Sequence, residues 1–270
     1  MPRKIGLILG PGALYGAYGA GVANVLGQHI DFHRVYGCSV GAFTGTFLVT
    51  QQFNIMLNVW RNYVHGKLLV NLKNPLRIRH ILDLEFLISL FETEGFCLDL
   101  KKVSREKGRL VYVLTHYLSG EPHYFCPDKN NVFKGMIASS AVPHVYPKVE
   151  IDGEYFYDGA LSDPYPLKRA LDEGNDKVIV VSNFSPDRGN GPLVRLSRSV
   201  AKAVEKSEEG MRFVEDRIRV SSDIFLIRPT DQILRSILDT DKSRINATLD
   251  MGITDAQIFM KNFSLAATKP

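Results

Sequence analysis

The sequence holds only three cysteines, Cys38, Cys97 and Cys126, and no histidine beyond His144. An odd number of widely spaced thiols argues against a disulfide framework, so a reducing, cytoplasmic compartment is the expectation. No run approaches the roughly 18 apolar residues of a membrane span. Arg3 and Lys4 before the apolar residues 5–9 imitate the start of a secretory signal. Gly10-Pro11-Gly12 ends that run short of the roughly seven or more residues such a segment needs. Charge of one sign is not in excess. The 33 Lys and Arg against 29 Asp and Glu leave +4, too little to argue for a nucleic-acid partner. There is no repeat, low-complexity stretch or Pro/Ser-rich linker to divide the chain, so one domain over residues 1–270 is expected.

What is present is an ordinary globular composition, 45% hydrophobic and 23% charged over 270 residues. That excludes a disordered, collagen-like or coiled-coil chain, and the length suffices to bury a core without metal or disulfide staples. Short apolar runs bounded by turn residues lie at 4–9, 34–36, 109–116, 122–126, 155–157, 177–183 and 223–227. Helical patterns lie between them at 16–28, 40–50, 131–140, 164–173, 193–219 and 242–262. Strands alternating with helices predict an α/β fold with a mostly parallel sheet. Residues 53–96 break the alternation. They are apolar in patches interrupted by Gly66, Asn74 and Pro75, which predicts a helical insertion of two or three helices over one end of the sheet.

Three groups of residues can carry chemistry. Gly37-Cys38-Ser39-Val40-Gly41 is a G-x-S-x-G between a predicted strand and a predicted helix. In a nucleophile elbow that turn lifts a serine hydroxyl clear of the sheet, with a helix N-terminus beneath it where negative charge develops. The plainer alternative is a serine capping a tight turn. Gly10-Pro11-Gly12-Ala13-Leu14-Tyr15-Gly16 follows the first strand. Its outward main-chain N–H groups suit a phosphate or an oxyanion, or the glycines serve the turn alone. The spacing fits neither the dinucleotide fingerprint nor the P-loop. Asp158-Gly159-Ala160 ends a strand-like run, a carboxylate with room for close approach, or simply a turn. Asp152-Gly153 upstream predicts a hairpin turn. A serine nucleophile followed by an acid and a late histidine is poorly supported, because the seven histidines (29, 33, 65, 80, 116, 123, 144) stop at 144. His29 and His33 lack the further ligands of a metal signature.

Together these pieces resemble the patatin-like phospholipases. Gly37-Cys38-Ser39-Val40-Gly41-Ala42 is similar to that family's nucleophile elbow, and the glycine turn with Gly16-Ala17-Tyr18-Gly19-Ala20-Gly21 to its oxyanion loop and following helix. Ala138-Ser139-Ser140-Ala141-Val142-Pro143 is similar to its segment before the catalytic aspartate, and Asp158-Gly159-Ala160 to its Asp-Gly-Gly/Ala motif. The resemblance implies a three-layer α/β sandwich and a serine acyl hydrolase acting on phospholipid, lysophospholipid or other fatty acyl esters. It implies a Ser39–Asp158 dyad without histidine, oxyanion donors at Gly12 and Ala13, and no metal or organic cofactor. Gly10, Gly16, Gly37, Gly41, Gly159 and Ala160 are then motif positions. The chain departs from the family at Pro11, Ala13 and Tyr15, where relatives carry two glycines and an arginine; proline has no N–H to donate.

The insertion is the expected wall of an acyl site. Arg61, Lys67, Lys73, Arg77 and Arg79 alternate in patches with Leu68, Leu69, Val70, Leu72, Leu76 and Ile78, without an acidic residue from 61 to 79. That pattern suits peripheral contact with an anionic lipid surface, or else a solvated helix face. Two rival functions remain open: a non-catalytic binding or regulatory protein of the same fold, favoured by the altered glycine loop, and a nucleotide-phosphate-binding protein using that loop.

Overall fold

The computed structural model describes residues 3–66, 69, 83–186 and 198–267. Its strands are β1 (Ile5–Leu9), β2 (Arg34–Cys38), β3 (Leu110–His116), β4 (Pro122–Phe125), β5 (Val149–Ile151), β6 (Glu154–Asp158), β7 (Lys177–Val181) and β8 (Ile224–Ile227). They form one sheet in the order β5-β6-β3-β2-β1-β7-β8, with β4 paired to β3 off that path. The run β3-β2-β1-β7-β8 is parallel; β4, β5 and β6 add antiparallel pairs.

Side chains alternate across the sheet, and the alternation builds two cores. Leu7, Leu9, Val35, Tyr112, Ile179 and Val181 face one layer. That layer is made by α1 (Gly16–His29), α2 (Val40–Val49), α6 (Val132–Ser139) and α9 (Lys242–Ala267). Ile8, Tyr36, Val111, Val178 and Val180 face the other, against α7 (Leu167–Asp172) and α8 (Arg198–Val220). The arrangement is the expected three-layer α/β sandwich. Strands buried on both faces explain why β1 and β7 read as continuous apolar runs.

The insertion contributes α3 (Phe53–Asn62) and α4 (Leu84–Phe91) among the described residues. Lys67, Lys73, Arg77 and Arg79 lie outside them. Two elements were not legible beforehand. β5 is only three residues long, and α5 (Leu100–Arg105) is a six-residue helix started by Asp99, whose carboxylate accepts the Lys102 N–H at 2.9 Å. The helix expected at 164–173 begins only at Leu167, because Pro164 and Pro166 hold the chain out of it. Asp152 and Gly153 do form the hairpin turn between β5 and β6, with φ of 51° and 84°, the sign demanded by a two-residue turn.

One feature of the sheet brings Ser39 and Asp158 together. β2 pairs with β3 as far as Cys38 opposite Val113. β6 pairs with β3 from the next residue, with Asp158 opposite Leu114. β4 occupies residues 112–115 of β3, so β2 and β6 share the remaining edge in series. β2 runs parallel to β3 and β6 antiparallel, so their carboxyl ends meet head on.

Candidate active site

Ser39 follows the last residue of β2 and precedes α2, with φ 56° and ψ −124°. This is a sparsely populated region for a residue with a Cβ, at a cost of about 1–3 kcal/mol. The turn has no room to relax. A Cβ on Gly41 would collide with the Leu9 carbonyl, and one on Gly37 would lie 2.5 Å from the Gly41 oxygen. The Ser39 side chain caps nothing in α2, so the alternative of a capping serine is not what the structure holds.

The hydroxyl instead donates to Asp158 Oδ2 at 2.8 Å. Asp158 is 1% exposed and Ser39 9%. The other carboxylate oxygen, Oδ1, accepts the Ala160 N–H at 2.8 Å. The main chain of Asp158 is fastened at both ends: its N–H donates to the Ala141 carbonyl at 3.0 Å, and its carbonyl accepts the Thr115 hydroxyl at 2.8 Å. Gly159 lies against the Val113 carbonyl with no space for a Cβ, and Ala160 follows in a single 3-10 turn, Gly159–Leu161. Burial pushes the Asp158 carboxyl up to about 7 from its ordinary 3.8; the Ala160 and Ser39 hydrogen bonds pull the other way and lose.

Ser139 stands at the end of α6. Its Oγ accepts the Ser39 N–H at 2.9 Å and donates to the Val113 carbonyl at 2.9 Å. It thereby ties the strained serine to β3, the strand against which Asp158 of β6 is paired. Asn183, beyond β7, gave no signal in the sequence. Its amide nitrogen donates to the carbonyls of Gly10 and Pro11, at 2.9 and 3.0 Å, and its oxygen accepts the Gly19 N–H. These bonds pin the glycine turn to α1.

In that turn Gly12 has φ 150° and Ala13 φ 47°, and Ala13 tolerates the left-handed conformation at a modest cost. Gly10 packs beneath the Tyr165 ring and Gly16 against Val40 of the elbow helix, which brings the two turns together. Among the described residues no carbonyl takes the Gly12 or Ala13 N–H. Tyr15 is buried with its ring edge-on to Phe184. Pro11 supplies no N–H, only a carbonyl, which goes to Asn183.

Ser39, Asp158 and Ala13 open onto one cavity. Its walls are Phe43 and Phe47 of α2, Met56, Val59 and Trp60 of α3, and Leu84, Leu87 and Phe91 of α4. α3 and α4 thus give this cavity an apolar wall. Arg61 pairs with Asp250 of α9 at 2.6 Å, an ion pair that stays exposed to solvent. No histidine is among the described residues lining the cavity. Among the described residues no group of His, Cys, Asp and Glu side chains has a metal-holding arrangement, and no helix is long and apolar enough to cross a membrane.

A buried hydroxyl bonded to a buried carboxylate, beside main-chain N–H groups that no carbonyl takes among the described residues, and opening on an apolar cavity, can transfer a proton and hold an acyl chain. A family model described as patatin-like phospholipase matches residues 7–171. The chain is 26% identical over 186 residues to the uncharacterized protein YjjU of Escherichia coli (strain K12), a match covering 67% of this chain and 52% of that one. It thus spans about half the length of that curated relative. The crystal structure of VipD from Legionella pneumophila shares the fold, with a TM-score of 0.53 at 12% identity, covering 97% of this chain and 67% of VipD.

Proposed function

Because the chain belongs to the patatin-like phospholipase family, we propose that it is a serine acyl hydrolase that cleaves carboxylic esters of lipids through an acyl-enzyme on Ser39, with Asp158 as the base. The observation that carries the reading is the 2.8 Å hydrogen bond from Ser39 Oγ to Asp158 Oδ2 at the floor of an apolar cavity. Ser39 Oγ attacks the ester carbonyl carbon while its proton passes to Asp158 Oδ2. The carbonyl oxygen becomes an oxyanion facing the Gly12 and Ala13 N–H groups. Collapse breaks the bond to the alcohol oxygen, which leaves with the proton held by Asp158. Water then repeats the sequence on the acyl-serine, losing a proton to Asp158. The fatty acid departs and the proton returns to Ser39.

A carboxylate at its ordinary pKa is a poor base for an alcohol. Burial moves Asp158 to about 7, near the operating range where a general base works best. The apolar wall from α2, α3 and α4 selects the substrate class: an acyl chain buried there gains about 25 cal/mol for each Å² of apolar surface removed from water. Contact with an anionic lipid surface rests on the sequence pattern of residues 61–79, in which Arg61 forms an exposed pair with Asp250.

The test is labelling with a fluorophosphonate probe and a panel of p-nitrophenyl and phospholipid esters, on wild type and Ser39→Ala. Labelling and hydrolysis lost together in the variant support the reading. A wild-type protein that neither labels nor hydrolyses any ester supports instead a binding protein of this fold, the second reading, which the Pro11, Ala13 and Tyr15 replacements in the oxyanion loop favour.

A further inference from the structure

Between the two residues that brace the dyad sits one whose side chain has nothing to do. Ser139 holds the Ser39 N–H, and the Ala141 carbonyl holds the Asp158 N–H. Ser140 lies between them at the end of α6 and lines the cavity with Ser39 and Asp158. Its main chain is satisfied: the N–H donates to Ile137 at 3.0 Å, and the carbonyl accepts from Val142 at 3.1 Å. Its Oγ is buried and finds no hydrogen-bond partner among the described residues; the residue is 7% exposed.

An unpaired buried hydroxyl is uncommon in native structures and calls for a reason. The cavity beside it is almost wholly apolar. Of its described lining residues only Ser39, Thr44, Ser140 and Asp158 carry a side-chain oxygen, and Ser39 and Asp158 are bonded to each other. A serine hydroxyl turns about one χ1 bond through three staggered wells. Among the described residues no hydrogen bond holds Ser140 in the well it occupies, so the hydroxyl is free to turn toward an incoming oxygen.

We propose that Ser140 contacts the substrate, its Oγ–H donating a hydrogen bond to the ester oxygens as they react at Ser39. This adds a side-chain donor to the main-chain N–H groups of a glycine turn in which position 11 has none. The inference rests on the reading of Ser39 as nucleophile. The bond is absent in the free protein and formed as charge develops on the ester, so it accelerates the chemical step rather than merely tightening binding.

The experiment compares Ser140→Ala and Ser140→Cys with wild type on p-nitrophenyl butyrate, with thermal unfolding of the free proteins alongside. Cysteine keeps the side chain's reach but donates poorly, and covers the case in which the alanine variant does not fold. The expected result is a fall in kcat of about 10- to 1000-fold, the range for one oxyanion donor, with KM little changed and the unfolding midpoint unchanged or raised. A raised midpoint follows because the free protein loses an unpaired polar group. A kcat within threefold of wild type overturns the inference. So does a lowered midpoint with activity that recovers fully on cooling, which marks a packing role. Ser39→Ala is run in parallel. Activity lost there but kept in Ser140→Ala removes this inference alone, whereas activity surviving in Ser39→Ala removes the reading beneath it.

Discussion

Asp158→Asn separates catalysis from stability with opposite signs. Asparagine has the same shape, its oxygen can accept the Ala160 N–H, and its amide can face Ser39 Oγ, so the packing survives. The charge does not. In the wild type, burial raises the carboxyl from 3.8 to about 7, a gap corresponding to about 4 kcal/mol. Below about pH 4 folded and unfolded chains both hold the proton, and the penalty is absent. From about pH 4 to 7 the unfolded carboxylate ionises while the folded one keeps its proton, so wild-type stability falls. Above about 7 the loss is complete. Asp158→Asn lacks this group and escapes that fall. Guanidinium unfolding of both proteins from pH 4 to 8.5 is therefore expected to show the variant gaining on the wild type by about 2–4 kcal/mol as pH rises. Hydrolysis of p-nitrophenyl butyrate goes the other way. It falls by about 10²–10⁴-fold in the variant, the usual worth of a positioned base, while the wild-type rate rises through about pH 7 as Asp158 ionises. Parallel stability curves would refute the desolvated carboxylate, and a variant with more than a tenth of wild-type activity would refute its role as base.

Ser139→Ala leaves the Ser39 N–H and the Val113 carbonyl without their bonds; a loss of about 1–3 kcal/mol per unpaired buried group is expected in denaturant midpoints, and an unshifted midpoint contradicts it. Gly41→Ala drives a Cβ into the Leu9 carbonyl of the central strand, and a destabilisation of about 1–3 kcal/mol or more is expected by thermal unfolding. Val59→Trp fills part of the cavity wall; the octanoate-to-butyrate ratio of kcat/KM is expected to drop about tenfold, and an unchanged ratio means acyl chains do not enter there.

Much of this molecule was legible in the sequence because its signals are local demands of the backbone. The turn after β2 needs glycine at Gly37 and Gly41, where strand and helix approach within a side chain's width, and the turn after β1 needs it at Gly10, beneath the Tyr165 ring, and at Gly12, where φ is positive. Asp152-Gly153 announces its hairpin because both residues take positive φ. Apolar runs of strand length, alternating with helical patterns, suffice for an α/β sandwich. Three-residue β5 and six-residue α5 escaped because neither is long enough to show a period.

The sequence names Ser39 and Asp158, yet they lie 119 residues apart, and only the sharing of one edge of β3 by β2 and β6 makes them neighbours. The basicity of Asp158 is likewise nonlocal, set by every side chain that keeps water from it. Asn183 pins the glycine turn from the end of β7, the strand beside β1, although 172 residues separate it from Pro11, and Arg61 meets Asp250 of the distant α9. Ser140 is one serine among many until the fold buries its hydroxyl beside the cavity. Local conformation follows from a residue and its few neighbours, whereas strand register, burial and hydrogen-bond partnership are properties of contacts between distant segments, and those exist only once the chain has folded.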